Sequence, residues 1–177
     1  MVFVPPRHAR IRRSIRRCLT NQDRVDALLA APDRCATSAP DVSGWSVGQQ
    51  VEHLTTVDAA VLDGIDRLIE GDGGPGRLTP QGWVLILSRR IPRGRAKAPD
   101  AVRPRGAEAE QVIERAASNR RRLTEHLDRV RELARVRLTR PHPILGGFDI
   151  RRWILFLDIH ERHHLAIVDD ILRATRR

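Results

Sequence analysis

The stretch that decides the fold is DIRRWILFLDIHERHHLAIVDDILR, residues 149–173. Its apolar residues and two of its histidines recur at every third or fourth position, in the series Trp153, Leu157, His160, His164, Ile167 and Ile171. This period predicts an amphipathic helix that packs its inner face in a helical bundle. Asp149 is the expected N-cap, and Phe148 and Trp153 on either side of it predict a hydrophobic staple.

Three other long segments show the same period. The first covers about Ile11 to Ala31, with a second cap at Thr20 where the helix is expected to break. The second begins at the capping box of Ser46 and Gln49 and ends at the glycine-rich residues 71–76. The third runs from about Ala107 to Arg137.

A shorter helix is expected between the second and third long ones. Thr79 and Pro80 supply a cap and a first-turn proline, and the helix should end near Arg90. No stretch predicts a strand. The fold class predicted is therefore all-α: an antiparallel four-helix bundle with a short extra helix and a basic N-terminal arm.

The length of 177 residues suits one domain with a sizeable core. We expect residues 1–10 to form a flexible basic arm and residues 11–177 to form a single bundle domain. The net charge of +10 is concentrated in residues 1–22 and in the segment 89–105, each carrying +6. Both are expected to be peripheral, and charge without an aromatic platform does not favour a nucleic-acid partner.

Cysteine usage and hydropathy indicate the cellular setting. Cys18 and Cys35 are the only cysteines and are expected to stay reduced. The longest apolar runs, such as residues 83–87, are far shorter than the roughly 20 residues of a membrane span. The N-terminus does not have the pattern of a signal peptide. We therefore expect a cytoplasmic protein without a membrane partner.

The last helix places two histidines where a bundle normally has leucine or isoleucine. His160 and His164 lie about 40° apart around the helix axis and about 6 Å apart along it, so both rings can reach one point. A buried polar group without a partner costs about 2–7 kcal/mol. One divalent metal ion satisfies two imidazoles at once. A structural pair of hydrogen-bonded core histidines is the alternative.

Other histidines compete for a place in such a site. His163 borders the polar face and could replace His164 as the partner of His160, although it is more typical of a flanking residue. A third ligand should come from another helix. His53, beside Leu54, is the preferred choice, and His126, beside Leu127, is the fallback. His142, between two prolines, is expected to shape its loop, and His8 lies in the basic arm.

Two segments resemble motifs of the DinB/YfiT-like superfamily of helical-bundle metalloenzymes. Residues 44–54, GWSVGQQVEHL, are similar to its GWS and HL segment. Residues 142–146, HPILG, lead through Trp153 to residues 160–165, HERHHL, which resemble its closing helix with an H-x3-H pair. The resemblance covers about Thr20 to Ile171. The segment 89–105 is not part of the common pattern.

This resemblance implies a four-helix bundle with a three-histidine site for zinc, nickel or a similar divalent ion. By motif position the metal ligands are His53, His160 and His164. Members of the superfamily include transferases and isomerases that use low-molecular-weight thiols, so a thiol is the second cofactor that it implies.

The functional hypothesis is a metal-dependent enzyme that acts on a small molecule. It would be a transferase using a low-molecular-weight thiol or a hydrolase using water. Glu52 and Glu161 adjoin the ligands in sequence and are candidate bases, although helical direction turns each about 100° away, towards the expected surface. The alternative is a non-catalytic, stress-related module that binds a metal or ligand. A homodimer is compatible with either.

Overall fold

The computed structural model describes residues 6–94 and 98–176. Over these ranges the chain forms four long helices, three short ones, a single 3-10 turn and one small hairpin. In chain order they are α1 (Arg7–Leu29), α2 (Pro32–Cys35), α3 (Val47–Ile69), α4 (Pro80–Ser88), the 3-10 turn (Asp100–Val102), α5 (Ala109–Asp128), α6 (Val130–Leu133), β1 (Arg140–His142), β2 (Gly146–Phe148) and α7 (Ile150–Ala174).

The long helices α1, α3, α5 and α7 form a four-helix bundle, which confirms the predicted all-α class. Helices α1 and α3 each pack against both α5 and α7, so they lie diagonally opposite each other. The ion pairs Arg7–Asp149 and Arg24–Asp169 join the beginnings and the ends of α1 and α7, so these two helices run parallel.

Helix direction refines the antiparallel arrangement expected from the sequence. Helix α3 runs against α7 but parallel to α5, since Thr56 meets Arg115 and Asp66 meets Arg122. A parallel pair requires a connection that returns along the bundle. Residues 70–108, which contain α4, provide that connection and are long enough to do so.

Helix α1 begins earlier than predicted, at Arg7. Residues 7–10 are therefore helical, and residues 1–5 lie outside the described part of the chain. The guanidinium of Arg7 donates to the carboxylate of Asp149 and to the carbonyl of Val136. The expected break at Thr20 is absent from α1, which is continuous, and the Thr20 hydroxyl bonds to the carbonyl of Arg16.

The third predicted helix is divided, and a hairpin follows it. Arg129 leaves the helical conformation between α5 and α6, so the helix ends well before Arg137. Strands β1 and β2 pair in antiparallel register, with Arg140 opposite Phe148. The sequence predicted no strand there, because three residues are too few to show a period. The ring nitrogen Nδ1 of His142 accepts from the amide of Ile144, which confirms that this histidine shapes the loop.

The apolar core is divided into two clusters along the bundle axis. One cluster contains Val57 and Leu157, and the other contains Leu54 and Leu165. A layer of buried polar side chains from α1, α3 and α7 lies at the junction. Within the described ranges, no helix combines the length and apolarity that crossing a membrane requires.

Candidate metal centre

One histidine of α3 and two of α7 meet in the buried polar layer. His53, His160 and His164 are 3%, 8% and 9% exposed. One ring nitrogen of each lies within 4.8 Å of the other two, and the Nε2 atoms of His53 and His160 are 3.3 Å apart. The structure thus brings together the three residues that the resemblance selected, and no other ligand-type residue in the described part of the chain joins the group.

The ring of His53 is oriented by a backbone carbonyl. Its Nδ1 lies 2.7 Å from the carbonyl oxygen of Val102, in the segment between α4 and α5. A carbonyl can only accept, so Nδ1 carries the proton and donates it. In the neutral ring, Nε2 then presents a lone pair to the two histidines of α7.

The ring of His164 is oriented by an amide side chain. Its Nδ1 lies 2.6 Å from Oε1 of Gln50, one turn before His53 on α3. The amide group of Gln50 donates in turn to the hydroxyl oxygen of Ser43 at 3.0 Å, which fixes the direction of the amide. His164 is therefore also held with its proton on Nδ1 and its lone pair on Nε2.

His160 completes the group without a hydrogen-bonded partner on its far side. Its Nδ1 is buried and makes no hydrogen bond within the described residues. Its ring lies between those of Phe156 and His164, with ring centroids 5.4 and 4.5 Å away. Apolar and aromatic packing therefore sets the position of His160, while hydrogen bonds set the other two.

Burial keeps all three rings neutral. It lowers the pKa of His53, lowers that of His160 well below its usual value, and lowers that of His164 to about 2. The neighbouring imidazoles lower the pKa of His160 and His164 further, because adjacent positive charges repel. A neutral imidazole is the form that binds a metal ion.

The donor set fits a divalent transition metal. Hydrogen bonds aim the lone pairs of His53 and His164 into one buried space, where Nε2 of His160 lies 3.3 Å from Nε2 of His53 and is the ring nitrogen that could supply an N–H. One such N–H cannot satisfy both lone pairs. Convergent lone pairs repel each other in a low-dielectric interior, and a cation replaces that repulsion with attraction. Three imidazoles are suited to zinc, nickel, copper or iron rather than to magnesium or calcium, which prefer oxygen.

The remaining histidines lie outside the group. His163 is half-buried beside it, with its ring perpendicular to that of His164 and centroids 5.0 Å apart. His126 of α5 is buried near the carboxylate of Asp66, at the other end of α3. His8 is half-buried on α1. The fallback ligand His126 therefore belongs to a different place in the bundle.

The two glutamates next to the ligands are buried, which corrects the expectation that both lie on the surface. The carboxylate of Glu52 accepts the backbone N–H groups of Arg105 and Gly106. The carboxyl group of Glu161 accepts the side-chain amides of Asn21 and Gln22 on α1. Each glutamate points away from the histidines into a partnered environment, so neither is placed as a base at the site.

Sequence reasoning missed a carboxyl cluster formed by Asp58, Glu161, Asn21 and Gln22. Gln22 donates to Asp58 at 2.7 Å and to Glu161 at 2.8 Å. Burial is the main cause that raises the pKa of Asp58 to about 7 and the pKa of Glu161 well above its usual value. A period of apolar residues cannot reveal such a cluster, because its members interrupt that period on three different helices.

The segment 89–105 is not wholly peripheral, which corrects a second expectation. Val102 supplies the carbonyl that orients His53, and its side chain packs on the core. The guanidinium of Arg93 pairs with Asp170 of α7 at 2.6 Å. Residues 95–97 lie outside the described part of the chain. The indole of Trp45 closes another side, with its centroid 5.1 Å from that of His53.

The comparisons with known proteins agree with the motifs. The family model of the DinB superfamily matches residues 19–168, which includes all three histidines of the group. Searches of curated proteins and of solved structures found no match. The match covers most of the chain, and the bundle contains a cluster of the three histidines that the sequence motifs indicated. The chain therefore belongs to the DinB superfamily.

Proposed function

We propose that the protein is an enzyme that binds one divalent metal ion through the Nε2 atoms of His53, His160 and His164. The observation that carries the proposal is the convergence of three neutral, buried ring nitrogens within 4.8 Å. Zinc and nickel are the favoured ions. A structural zinc site is usually closed by four protein ligands, whereas three leave a position for a substrate.

The metal would supply Lewis acidity, which lowers the pKa of a bound thiol or water molecule. Three neutral donors leave the full positive charge of the ion in place. The protein side chains position the group: Val102 and Gln50 hold two rings in the ligand tautomer, and Trp45 and Phe156 shield it from water.

The chemistry that we favour is transfer of a low-molecular-weight thiol to an electrophile. Metal-assisted hydrolysis commonly uses a carboxylate as general base. Glu52 and Glu161 are committed to other partners, and no carboxylate of the described residues joins the histidine group. A thiol needs less help, since an adjacent metal ion deprotonates it outright. The thiol proton would pass to solvent, the sulfur would form a bond to an electrophilic carbon, and the bond to the leaving group would break with its electron pair going to that group.

The proposal includes a small-molecule substrate and a cytoplasmic setting, where low-molecular-weight thiols are abundant. The test is a turnover screen with untagged protein loaded with Zn²⁺ or Ni²⁺. Glutathione and cysteine would be offered with 1-chloro-2,4-dinitrobenzene, and an activated ester without thiol would report hydrolysis. We expect metal-dependent thiol conjugation that disappears in His160→Ala. Ester cleavage without conjugation would favour the hydrolase.

A non-catalytic metal-binding module is the second candidate function. It is favoured by the burial of the histidines, which limits the space available to a substrate. Stoichiometric metal binding without turnover of any thiol or ester would support this module against the enzyme.

A further inference from the structure

One segment of backbone is bound by two neighbouring residues of α3. His53 donates from Nδ1 to the carbonyl of Val102 at 2.7 Å. Glu52 accepts from the amides of Arg105 and Gly106 at 2.8 and 3.1 Å, one with each carboxylate oxygen. The two contacts lie three to four residues apart in residues 102–106, a segment that we call the strap. The strap begins at the last residue of the 3-10 turn Asp100–Val102.

The geometry makes the two contacts dependent on each other. Val102 is half-buried against one core cluster, and Ala107 is packed against the other, so the strap crosses the polar layer at His53. Between these residues, Glu52 is the side chain that accepts from the backbone amides of Arg105 and Gly106. If Glu52 no longer held Arg105 and Gly106, the strap would lose the restraint that keeps the Val102 carbonyl against His53.

We propose that Glu52 is a positioning residue for the metal centre, acting through the strap of residues 102–106 to hold His53 in the Nδ1–H tautomer. This inference rests on the proposed metal site. The carboxylate of Glu52 bonds to the strap and is not part of the histidine group. Its contribution is to fix which nitrogen of His53 bears the lone pair and where that lone pair points.

The chemistry of this contact requires a carboxylate. Two backbone amides converge on Glu52, and a carboxylate offers an acceptor oxygen to each, whereas glutamine offers one oxygen and a competing donor. Gly106 has a φ of +75°, a conformation that favours glycine, and this turn directs its amide towards Glu52. Charge-assisted bonds to backbone amides are about twice as strong as neutral ones.

The test compares Glu52→Ala and Glu52→Gln with Asp149→Ala. Asp149 is a matched control: the residue is 8% exposed, like Glu52, and its carboxylate accepts a backbone amide at the start of α7. It lies eleven residues before His160, roughly 16 Å along the helix. The metal-free proteins would be compared by ¹⁵N NMR of the imidazole rings, and the Zn²⁺ dissociation constants by competition with a chelator.

We expect the wild-type His53 ring to show a protonated Nδ1 and an unprotonated Nε2. In Glu52→Ala this pattern should become a mixture of tautomers, and Zn²⁺ affinity should fall about 10-fold. Glu52→Gln keeps one acceptor oxygen, so its tautomer mixture and its Zn²⁺ affinity should lie between those of Glu52→Ala and the wild type. Asp149→Ala should lose stability without changing the His53 signals or the affinity.

Unchanged His53 signals in both Glu52 variants would overturn the inference, as would equal changes in Asp149→Ala. Because the NMR measurement uses metal-free protein, it decides the role of Glu52 even if the wild type binds no Zn²⁺. Failure of the wild type to bind Zn²⁺ would instead contradict the proposed function. Should Glu52→Ala fail to fold, Glu52→Gln alone provides the comparison.

Discussion

The histidine group and the carboxyl cluster are neighbours with opposite chemistry. Both are buried at the same level of the bundle, and the consecutive residues His160 and Glu161 of α7 point into one each. In the carboxyl cluster, side-chain amides from α1 satisfy the acidic oxygens. In the histidine group, Val102 and Gln50 hold the outer nitrogens of His53 and His164, and the inner nitrogens face each other, with the Nε2 atoms of His53 and His160 3.3 Å apart.

This difference distinguishes a polar cluster that holds helices together from one prepared for a ligand. Buried polar groups are normally paired within the protein. The carboxyl cluster follows that rule through donors on another helix, and its protons can be shared between two acids. The histidine group departs from the rule, because hydrogen bonds to the protein hold the outer nitrogens of His53 and His164, while the inner nitrogens have only each other as neighbours. Burial alone would not separate the two.

The largest expected effect is loss of metal binding when a ligand is removed. His164→Ala should abolish stoichiometric binding of Zn²⁺, and His53→Ala should weaken it at least about 100-fold, because two imidazoles remain in each case. His163→Ala is the matched control and should change the dissociation constant less than about 3-fold. Titration calorimetry of the four proteins measures this. Damage by His163→Ala with a harmless His164→Ala would reverse the assignment of the ligand face.

The carboxyl cluster should respond in stability instead. Glu161→Ala leaves the side-chain amide of Asn21 and one N–H of Gln22 without an acceptor in the core, which should cost about 3 kcal/mol of unfolding free energy. Glu161→Gln keeps the shape and one oxygen and should cost less than about 1.5 kcal/mol. Urea unfolding of metal-free protein at pH 7 gives both values, with exposed Glu125→Ala as the control. Equal stability of all three variants would show that the cluster does not hold the bundle together.

The same cluster should make stability fall as pH rises. Burial raises the pKa of Asp58 from 3.8 to about 7, so the folded state keeps a proton that the unfolded chain has released. The stabilisation is complete below pH 3.8 and is lost as pH rises through about 7. Between pH 5 and pH 8 we expect a loss of roughly 2.5 kcal/mol.

Asp58→Asn should flatten this pH dependence, because the amide does not titrate. Urea unfolding at several pH values would compare the slopes of the variant and the wild type. If the unfolding free energy of the wild type rises between pH 5 and pH 8, the pKa of Asp58 is not raised as we expect.

The smallest expected effect is the response of metal affinity to pH. Because burial lowers the pKa values of His53, His160 and His164, protons should not compete with the ion near neutrality. The Zn²⁺ dissociation constant should change less than about 3-fold between pH 6 and pH 8. Three histidines with an ordinary pKa of about 6.5 would lose roughly 60-fold over that range. Chelator competition at each pH distinguishes the two.

Much of the fold could be predicted because local physics specifies it. The Ser46 and Gln49 capping box, the Asp149 cap and the Phe148–Trp153 contact are present where the sequence placed them. The predicted positions of the helix ends were less accurate. The start of α1 at Arg7 depends on bonds to Asp149 and Val136, more than a hundred residues away, which no local pattern contains.

Of the candidate site, only the histidine ligands could be predicted from the sequence. Helical period brought His160 and His164 to one face, while the choice of His53 over His126 was strengthened by the resemblance. The groups that orient these histidines could not be identified from the sequence. Val102 acts through its carbonyl, which every residue has, and Gln50 resembles any polar residue near a helix margin. Glu52 and Glu161 were expected on the surface, because helical direction does not show that the strap and α1 cover them.

The central claim, that consecutive residues of α7 serve a ligand site and a structural cluster, is tested most directly by one Zn²⁺ titration. Untagged, metal-free wild type, His160→Ala and Glu161→Gln would be compared by calorimetry. The account predicts one ion per chain for the wild type, the same stoichiometry and an affinity within about 3-fold for Glu161→Gln, and no stoichiometric binding for His160→Ala. Binding that survives in His160→Ala, or that is lost equally in both variants, would contradict it.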